Sequence, residues 1–320
     1  MSAPRLIVIV DTEEEFDWSG PFRREARAVR SIPEQDRAME IFSRLSLVPT
    51  YVIDHPVASD DAAVALLKGY RDRGEALIGT HLHPWVSPPF EEETTRANSY
   101  PGNLPAELEQ EKLRLLTGLI AARFGERPTI YKAGRYGIGP NTAAILARLG
   151  YKVDCSVVPH TDFRADQGPD FTDRDARMGP FDGQSGILEL PLSVGFAGLL
   201  SGSGPSLYPK LFRAPWRSMR LPGILARTRL LERIRLSPEG MTLAEMKRLT
   251  RAMMRQGISH FCLTYHSPSL GIGHTPYARD RKERDAFVQR IDAYCTWFVE
   301  RIGGIGSTPL AEYARWKGGL

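Results

Sequence analysis

An α/β fold built on a parallel sheet is what this sequence predicts, and three observations predict it. Short apolar runs of strand length alternate with helical stretches for most of the chain. The first of these runs, "RLIVIVD" at 5–11, is apolar without interruption, as a parallel strand buried on both faces is. The runs number seven and polar side chains gather where they end, which suggests a barrel-like closure with a site at one edge.

The elements follow in order. After the strand at 5–11, residues 35–46 place Ala38, Ile41, Phe42 and Leu45 at helical spacing. "VPTYVID" at 48–54 is the second strand. Residues 61–73 form a helix with Ala63, Leu66, Leu67 and Tyr70 on one face. "EALIGTHLH" at 75–83 is the third strand, and "ELEQEKLRLLTGLIAARFG" at 107–125 is a helix stopped by its glycine. "TIYKAG" at 129–134 is the fourth strand; a helix from Pro140 ends before Gly150. "YKVDCSVV" at 151–158 and "GILELPLS" at 186–193 are the fifth and sixth strands. Thr242 and Glu245 form a capping-box pair that opens a helix over 242–256. "HFCLTYHS" at 260–267 is the seventh strand, before a long helix at 281–301. Residues 86–105, 159–185 and 196–240 are irregular. The chain reads as a single catalytic domain over 1–320, with a basic and apolar insertion at about 196–240 lying over one face.

Composition narrows the function classes. A net charge of +4 over 320 residues does not make a nucleic-acid binder. Cys155, Cys262 and Cys295 form no CxxC pair and no disulfide framework, so they are expected to be buried thiols in a reducing compartment. The N-terminal apolar run is too short for a signal core or a membrane span, and the expected location is cytoplasmic.

Chemistry collects at the strand ends. The first strand ends in Asp11 and continues into Glu13, Glu14 and Glu15. The third ends in His81 and His83, which share a face because residues i and i+2 of a strand point the same way. The fourth leads to Lys132, Arg135 and Tyr136, the seventh to Tyr265 and His266. Two imidazoles and a carboxylate make a hydrolytic metal site with a position left for water. That donor set suits zinc, with cobalt, nickel or iron as alternatives, better than magnesium or calcium. Asp11 and Glu13 are also i and i+2, so one could bind metal while the other acts as a base. Each motif alone has a plainer account: strand-end histidines bonded to backbone, an acidic loop in solvent, an arginine paired with a surface acid.

"IVIVDTEEEFDW", "GTHLHPW", "KAGRYG" and "LTYHSPS" resemble, in order, the successive motifs of the polysaccharide deacetylases, carbohydrate esterase family 4 and its relatives. The resemblance runs from about residue 5 to the closing "GIGSTPLAEY". It implies a distorted (β/α)7 barrel and divalent-metal-dependent removal of N-acetyl groups from sugars. Asp11 then resembles the catalytic base, Glu13 the metal carboxylate, His81 and His83 the histidine ligands, and His266 the general acid. Lys132 stands where the family orients the base with an arginine, with Arg135 three residues on, and Tyr136 matches the residue whose backbone N–H helps bind the oxyanion. Three features depart from the pattern: one residue instead of three between the histidines, Glu13 in place of an aspartate, and Lys132 in place of that arginine.

Trp18, Trp85 and Trp216 are candidate sugar platforms, and His274 is a candidate substrate contact on the loop beyond the seventh strand. Glu189 and Asp154 are candidate partners of His266. The stretch 208–236 carries eight basic residues and one acid, Glu232, between leucines and isoleucines. It suggests a peripheral contact with anionic lipid or an acidic glycan. The expected substrate is an N-acetylated sugar or glycan. Two other readings remain: a metal-assisted amidohydrolase acting on a small non-sugar amide, and a glycan-binding protein whose site has decayed.

Overall fold

The computed structural model of the chain describes residues 3–211 and 221–319. The chain enters through β1 (Arg5–Thr12), buried along its whole length. Its five consecutive aliphatic residues, Leu6 to Val10, are all within 1% of full burial. Each such side chain contributes about 1.5–3 kcal/mol relative to exposure. Helix α1 (Asp36–Arg44), β2 (Thr50–Ile53), the short α2 (His55–Ser59), α3 (Asp61–Asp72) and β3 (Leu77–Leu82) follow. Then come α4 (Ala106–Phe124), which ends at Gly125 in the left-handed conformation, β4 (Ile130–Ala133), α5 (Thr142–Arg148) and β5 (Val153–Asp154).

The next section is mostly strand. It holds β6 (Gly179–Phe181), β7 (Gln184–Glu189) and β8 (Val194–Ala197), then α6 (Gly204–Leu211), α7 (Leu221–Arg227) and β9 (Glu232–Arg235). Helix α8 (Leu243–Arg255) opens on the Thr242–Glu245 capping box the sequence predicts. Strand β10 (His260–His266) leads to α9 (Arg281–Thr296), which runs into a π-helical turn at Trp297–Arg301. Strand β11 (Ile305–Ser307) and α10 (Pro309–Lys317) complete the described residues.

The principal sheet runs β10-β1-β2-β3-β4-β5-β7-β6. Its pairings from β10 to β7 are parallel, and only β6 is antiparallel. The seven strands from β10 to β7 are the seven expected from the sequence, and they make a curled half-barrel, with β11 pairing parallel to the N-terminal end of β1. The short strands β6, β8, β9 and β11 were not expected; runs of three or four residues carry too little periodicity to be read. Between β7 and β10 the sheet is open. Single backbone bonds bridge the seam: Leu192 N to Val157 O (2.9 Å), Leu236 N to Ser193 O (2.8 Å) and Thr264 N to Leu236 O (3.2 Å).

That seam corrects one reading of the sequence. Within the described parts of 196–240, which the sequence reads as irregular, two short strands form. Strands β8 and β9 pair with each other and pack on α8, and Leu236, just past β9, stitches the seam to β10. The three cysteines are buried free thiols. Among the described residues, no helix is long and apolar enough to cross a membrane.

Candidate active site

Sheet register sets the site. Asp11 of β1 pairs across to His266 of β10, and His81 of β3 pairs across to Lys132 of β4. Four side chains from distant parts of the sequence thus reach one level at the C-terminal edge of the strands. Strand alternation adds the rest: Glu13 follows Asp11 by two, His83 follows His81 by two, and Thr264 precedes His266 by two. Asp11, Glu13, His81, His83, Tyr136 and His266 line one cleft of about 390 Å³.

The two ligand-type histidines are oriented from behind. His81 Nδ1 lies 2.8 Å from the Lys132 carbonyl, which can only accept, so Nδ1 carries the proton and Nε2 presents a lone pair. His83 Nδ1 lies 2.8 Å from Glu14 Oε2 with the same consequence. Both Nε2 atoms face Glu13 Oε2, at 3.6 and 3.4 Å. Burial holds both imidazoles neutral: His81 is pushed well down, and His83 down to about 4.

Glu13 completes this group. It is 1% exposed and its Oε1 has no hydrogen-bond partner. Burial, then the neighbouring Glu14 and Asp11, push its carboxyl well above the ordinary range. Two lone pairs and a buried carboxyl with one unpartnered oxygen face one point, an arrangement that a cation between them would satisfy. A tetrahedral zinc with bonds of about 2.0–2.1 Å spaces its ligand atoms about 3.4 Å apart, which these separations match. Glu13, His81 and His83 therefore fit a divalent metal.

Glu14 faces the other way and was given no role from the sequence. It accepts from His83 and from the Trp85 indole (2.7 Å), and its backbone N–H donates to Asp54 (2.8 Å). Burial pushes Glu14 up to about 6 and Asp54 well up, so this adjoining pair retains a proton more readily than ordinary carboxyls do. Trp85 is correspondingly buried at 2% and stacks on His83 with centroids 4.2 Å apart. This corrects its reading as a sugar platform: its ring supports a histidine and offers no face to the cleft. The loop after β3 is fixed by the buried ammonium of Lys112, which donates to the carbonyls of Ser87 and Pro89 at 2.6 Å.

Asp11 sits on the other side. Lys132 Nζ reaches both its oxygens, at 2.5 and 2.6 Å, and donates to Thr264 Oγ1 at 3.0 Å. Burial alone would raise the Asp11 carboxyl, but the Lys132 ammonium above all outweighs it and holds it below the ordinary value. His266 Nε2 stands 3.6 Å from Asp11 Oδ2. Its Nδ1 is 2.8 Å from Glu239 Oε2, while its backbone N–H and the Ser269 hydroxyl both donate to Glu239 Oε1. Despite burial, these contacts hold Glu239 below the ordinary value. The partner of His266 is thus Glu239. Glu189 instead pairs with Arg174 and Asp154 with Ser156. Glu239 lies in the irregular loop after β9, where no sequence periodicity marks it.

The "KAGRYG" turn is shaped by close approach. A Cβ on Gly134 would sit 2.3 Å from the Leu82 carbonyl and 2.5 Å from the His83 ring, so only glycine lets this turn close over the histidine strand. Arg135 and Tyr136 then adopt positive φ of 53° and 62°. The Tyr136 ring lies over Lys132 Nζ at 5.2 Å. Arg135 does not contact Asp11. It pairs with Asp166, bonds Ser99 and stacks over Tyr100 at 4.1 Å, on the outer wall of the cleft. Trp18 lines the cleft and meets His266 edge-on at 4.9 Å. His274 pairs with Glu15 at 3.3 Å and does not line the cleft, which corrects its reading as a substrate contact. Trp216, like Arg213, Arg217 and Arg220, lies outside the described residues.

Comparison with known proteins establishes the fold. No family model and no curated protein matches this sequence. Among solved structures, a Mycobacterium smegmatis protein assigned as a polysaccharide deacetylase superimposes with a TM-score of 0.54 at 14% identity, over 99% of this chain and 92% of that one. The 4-alpha-glucanotransferase of Thermococcus litoralis gives 0.53 at 13% identity, over 98% of this chain and 40% of that one. The GH57-type branching enzyme of Pyrococcus horikoshii gives 0.53 at 11%, over 98% and 71%. The half-barrel is thus shared by proteins named for unlike reactions, and function has to be argued from the site.

Proposed function

We propose that this protein is a divalent-metal-dependent hydrolase that removes N-acetyl groups from a sugar or polysaccharide precursor. The observation that carries this reading is the convergence of Glu13, His81 and His83, lone pairs inward, beside an ionised Asp11 and a carboxylate-backed His266. A bound divalent ion, zinc first and cobalt, nickel or iron as alternatives, would polarise the acetamide carbonyl and make water acidic near neutral pH. Asp11 takes the proton from the attacking water, and Lys132 keeps it charged and aimed. The amide C–N bond breaks as His266 Nε2 gives a proton to the departing amine, yielding acetate and the free amino sugar. Glu239 holds His266 through Nδ1. The Tyr136 backbone N–H is assigned to the carbonyl oxygen and Trp18 to one face of the sugar. Arg135 serves the outer cleft wall.

The test has two arms: divalent-ion content after purification and after exposure to zinc, and acetate released from N-acetylated chito-oligosaccharides. Stoichiometric metal with acetate release supports the proposal. Metal uptake with turnover of small non-sugar amides only would make it an amidohydrolase of another class. Glycan binding without metal or turnover would make it a binding protein. A cytoplasmic location and a peripheral lipid contact through 208–236 are weaker parts of the same reading. Arg233 bonds the Pro159 carbonyl and Thr161, and Arg235 the Glu239 carbonyl and Tyr277, so both are engaged within the fold. Failure to co-sediment with anionic vesicles at low salt would remove the lipid contact.

A further inference from the structure

Beside the cleft lies a second, more enclosed chamber of about 130 Å³. It shares Tyr136, Phe163 and Arg235 with the cleft, so the two spaces adjoin. Glu239, which holds His266, and Thr264, which holds Lys132, also line it. The chamber therefore backs directly onto the acid–base machinery.

Its charge is unbalanced. Arg233 and Arg235 project from one strand two residues apart, and both line the chamber. Among the described residues neither forms an ion pair with a carboxylate; Arg233 bonds only the Pro159 carbonyl and Thr161, Arg235 only the Glu239 carbonyl and Tyr277. The one acid in the wall, Glu239, bonds His266 and Ser269 and also attracts Arg235, which leaves Arg233, among the described residues, as the arginine without a carboxylate beside it. The Arg233 Nε is buried without any hydrogen-bond partner. The undescribed stretch 212–220 contains no acid that could neutralise the pair. Arg233 and Arg235 are half-buried; burial disfavours the charged form of Arg233, and a bound anion beside it would offset that. The space, against about 30 Å³ for a water molecule, admits a carboxylate or a phosphate.

We infer that Arg233 and Arg235 form an anion subsite, and that the substrate carries a carboxylate or phosphate close to the amide that is cleaved. This deepens the deacetylase reading and rests on it for the word substrate. An acidic N-acetylated sugar, either a uronic acid or a sugar phosphate, fits both spaces at once.

The experiment compares binding of N-acetylglucosamine with that of N-acetylglucosaminuronate, N-acetylglucosamine 1-phosphate and N-acetylglucosamine 6-phosphate, on the metal-loaded full chain. At least one anionic probe should bind tenfold or more tightly than the neutral sugar, and which one separates carboxylate from phosphate. In Arg233→Gln that preference should fall at least tenfold, and in Arg233→Lys only in part. Should Arg233→Gln fail to fold, the preference in the unaltered protein decides, read with its weakening as salt rises. No preference for any anionic probe overturns the inference, as does a preference that Arg233→Gln retains, which would place the anion on the metal instead. Anion binding without acetate release would leave the subsite standing and remove the deacetylase reading.

Discussion

His83 and His266 both put Nδ1 on a carboxylate at 2.8 Å, yet the two sides of the cleft prepare them for different work. Behind His83 stands Glu14, itself pushed up to about 6 by burial and joined to Asp54 and Trp85. The histidine is 2% exposed, held neutral, and faces a second histidine and a buried, half-satisfied glutamate. Behind His266 stands Glu239, held low and ionised, and the imidazole is 17% exposed and faces Asp11. A neutral imidazole with a fixed inward lone pair suits a metal ligand; an imidazole between an ionised carboxylate and an open cleft suits a proton carrier. Under the proposed function the same residue type would serve two chemistries because burial and the second carboxylate differ.

The comparison can be broken in four ways. Asp11→Asn keeps the shape and removes the proton acceptor; kcat for acetate release should fall by about 10²–10⁴, with metal content unchanged by elemental analysis. A fully active variant would remove the base from the mechanism. Lys132→Met leaves the buried Asp11 carboxylate without its cation and should cost about 3–5 kcal/mol of stability in urea denaturation, the range for breaking a buried pair from one side.

The third test separates the two sides directly. Glu14→Gln should weaken metal affinity by about 10–100-fold, as loss of the group orienting a ligand does. Glu239→Gln should leave metal affinity within error and lower kcat instead. Equal effects of both variants on metal titration would erase the distinction. The fourth and smallest effect is in the pH dependence of stability. Glu239 is held below its ordinary 4.5, so near and below that pH the unfolded chain binds more protons than the folded one. Its stabilising contribution is intact above about pH 4.5 and is lost as the pH falls further. Glu239→Gln should show a shallower acid decline between about pH 5 and 3 than the unaltered protein, followed by thermal denaturation.

Much of this was legible in the chain. The first of the parallel strands announces itself through its apolar run at 5–11, because a strand buried on both faces has almost no polar positions left. The pairs Asp11/Glu13 and His81/His83 are visible because strand alternation is local geometry. Trp85 and His274 were misjudged because an aromatic ring or a histidine after a motif looks the same whether it faces substrate or packs behind a ligand. Glu239 gave no signal at all: it is 27 residues from His266 in an irregular loop, and nothing periodic marks it.

The sequence by itself determined the element order, the edge of the sheet where chemistry gathers, and the identities of two imidazoles and two carboxylates destined to share it. These follow from local rules, the two-residue repeat of strands and the handedness of crossovers. Only the tertiary structure decided that Lys132 and not Arg135 holds Asp11, that Glu239 backs His266, and that Arg233 and Arg235 line one chamber. Those outcomes depend on sheet register, on a turn that closes only at Gly134, and on how the seam between β7 and β10 is bridged. Such contacts join residues tens to hundreds apart, and no spacing along the chain encodes them.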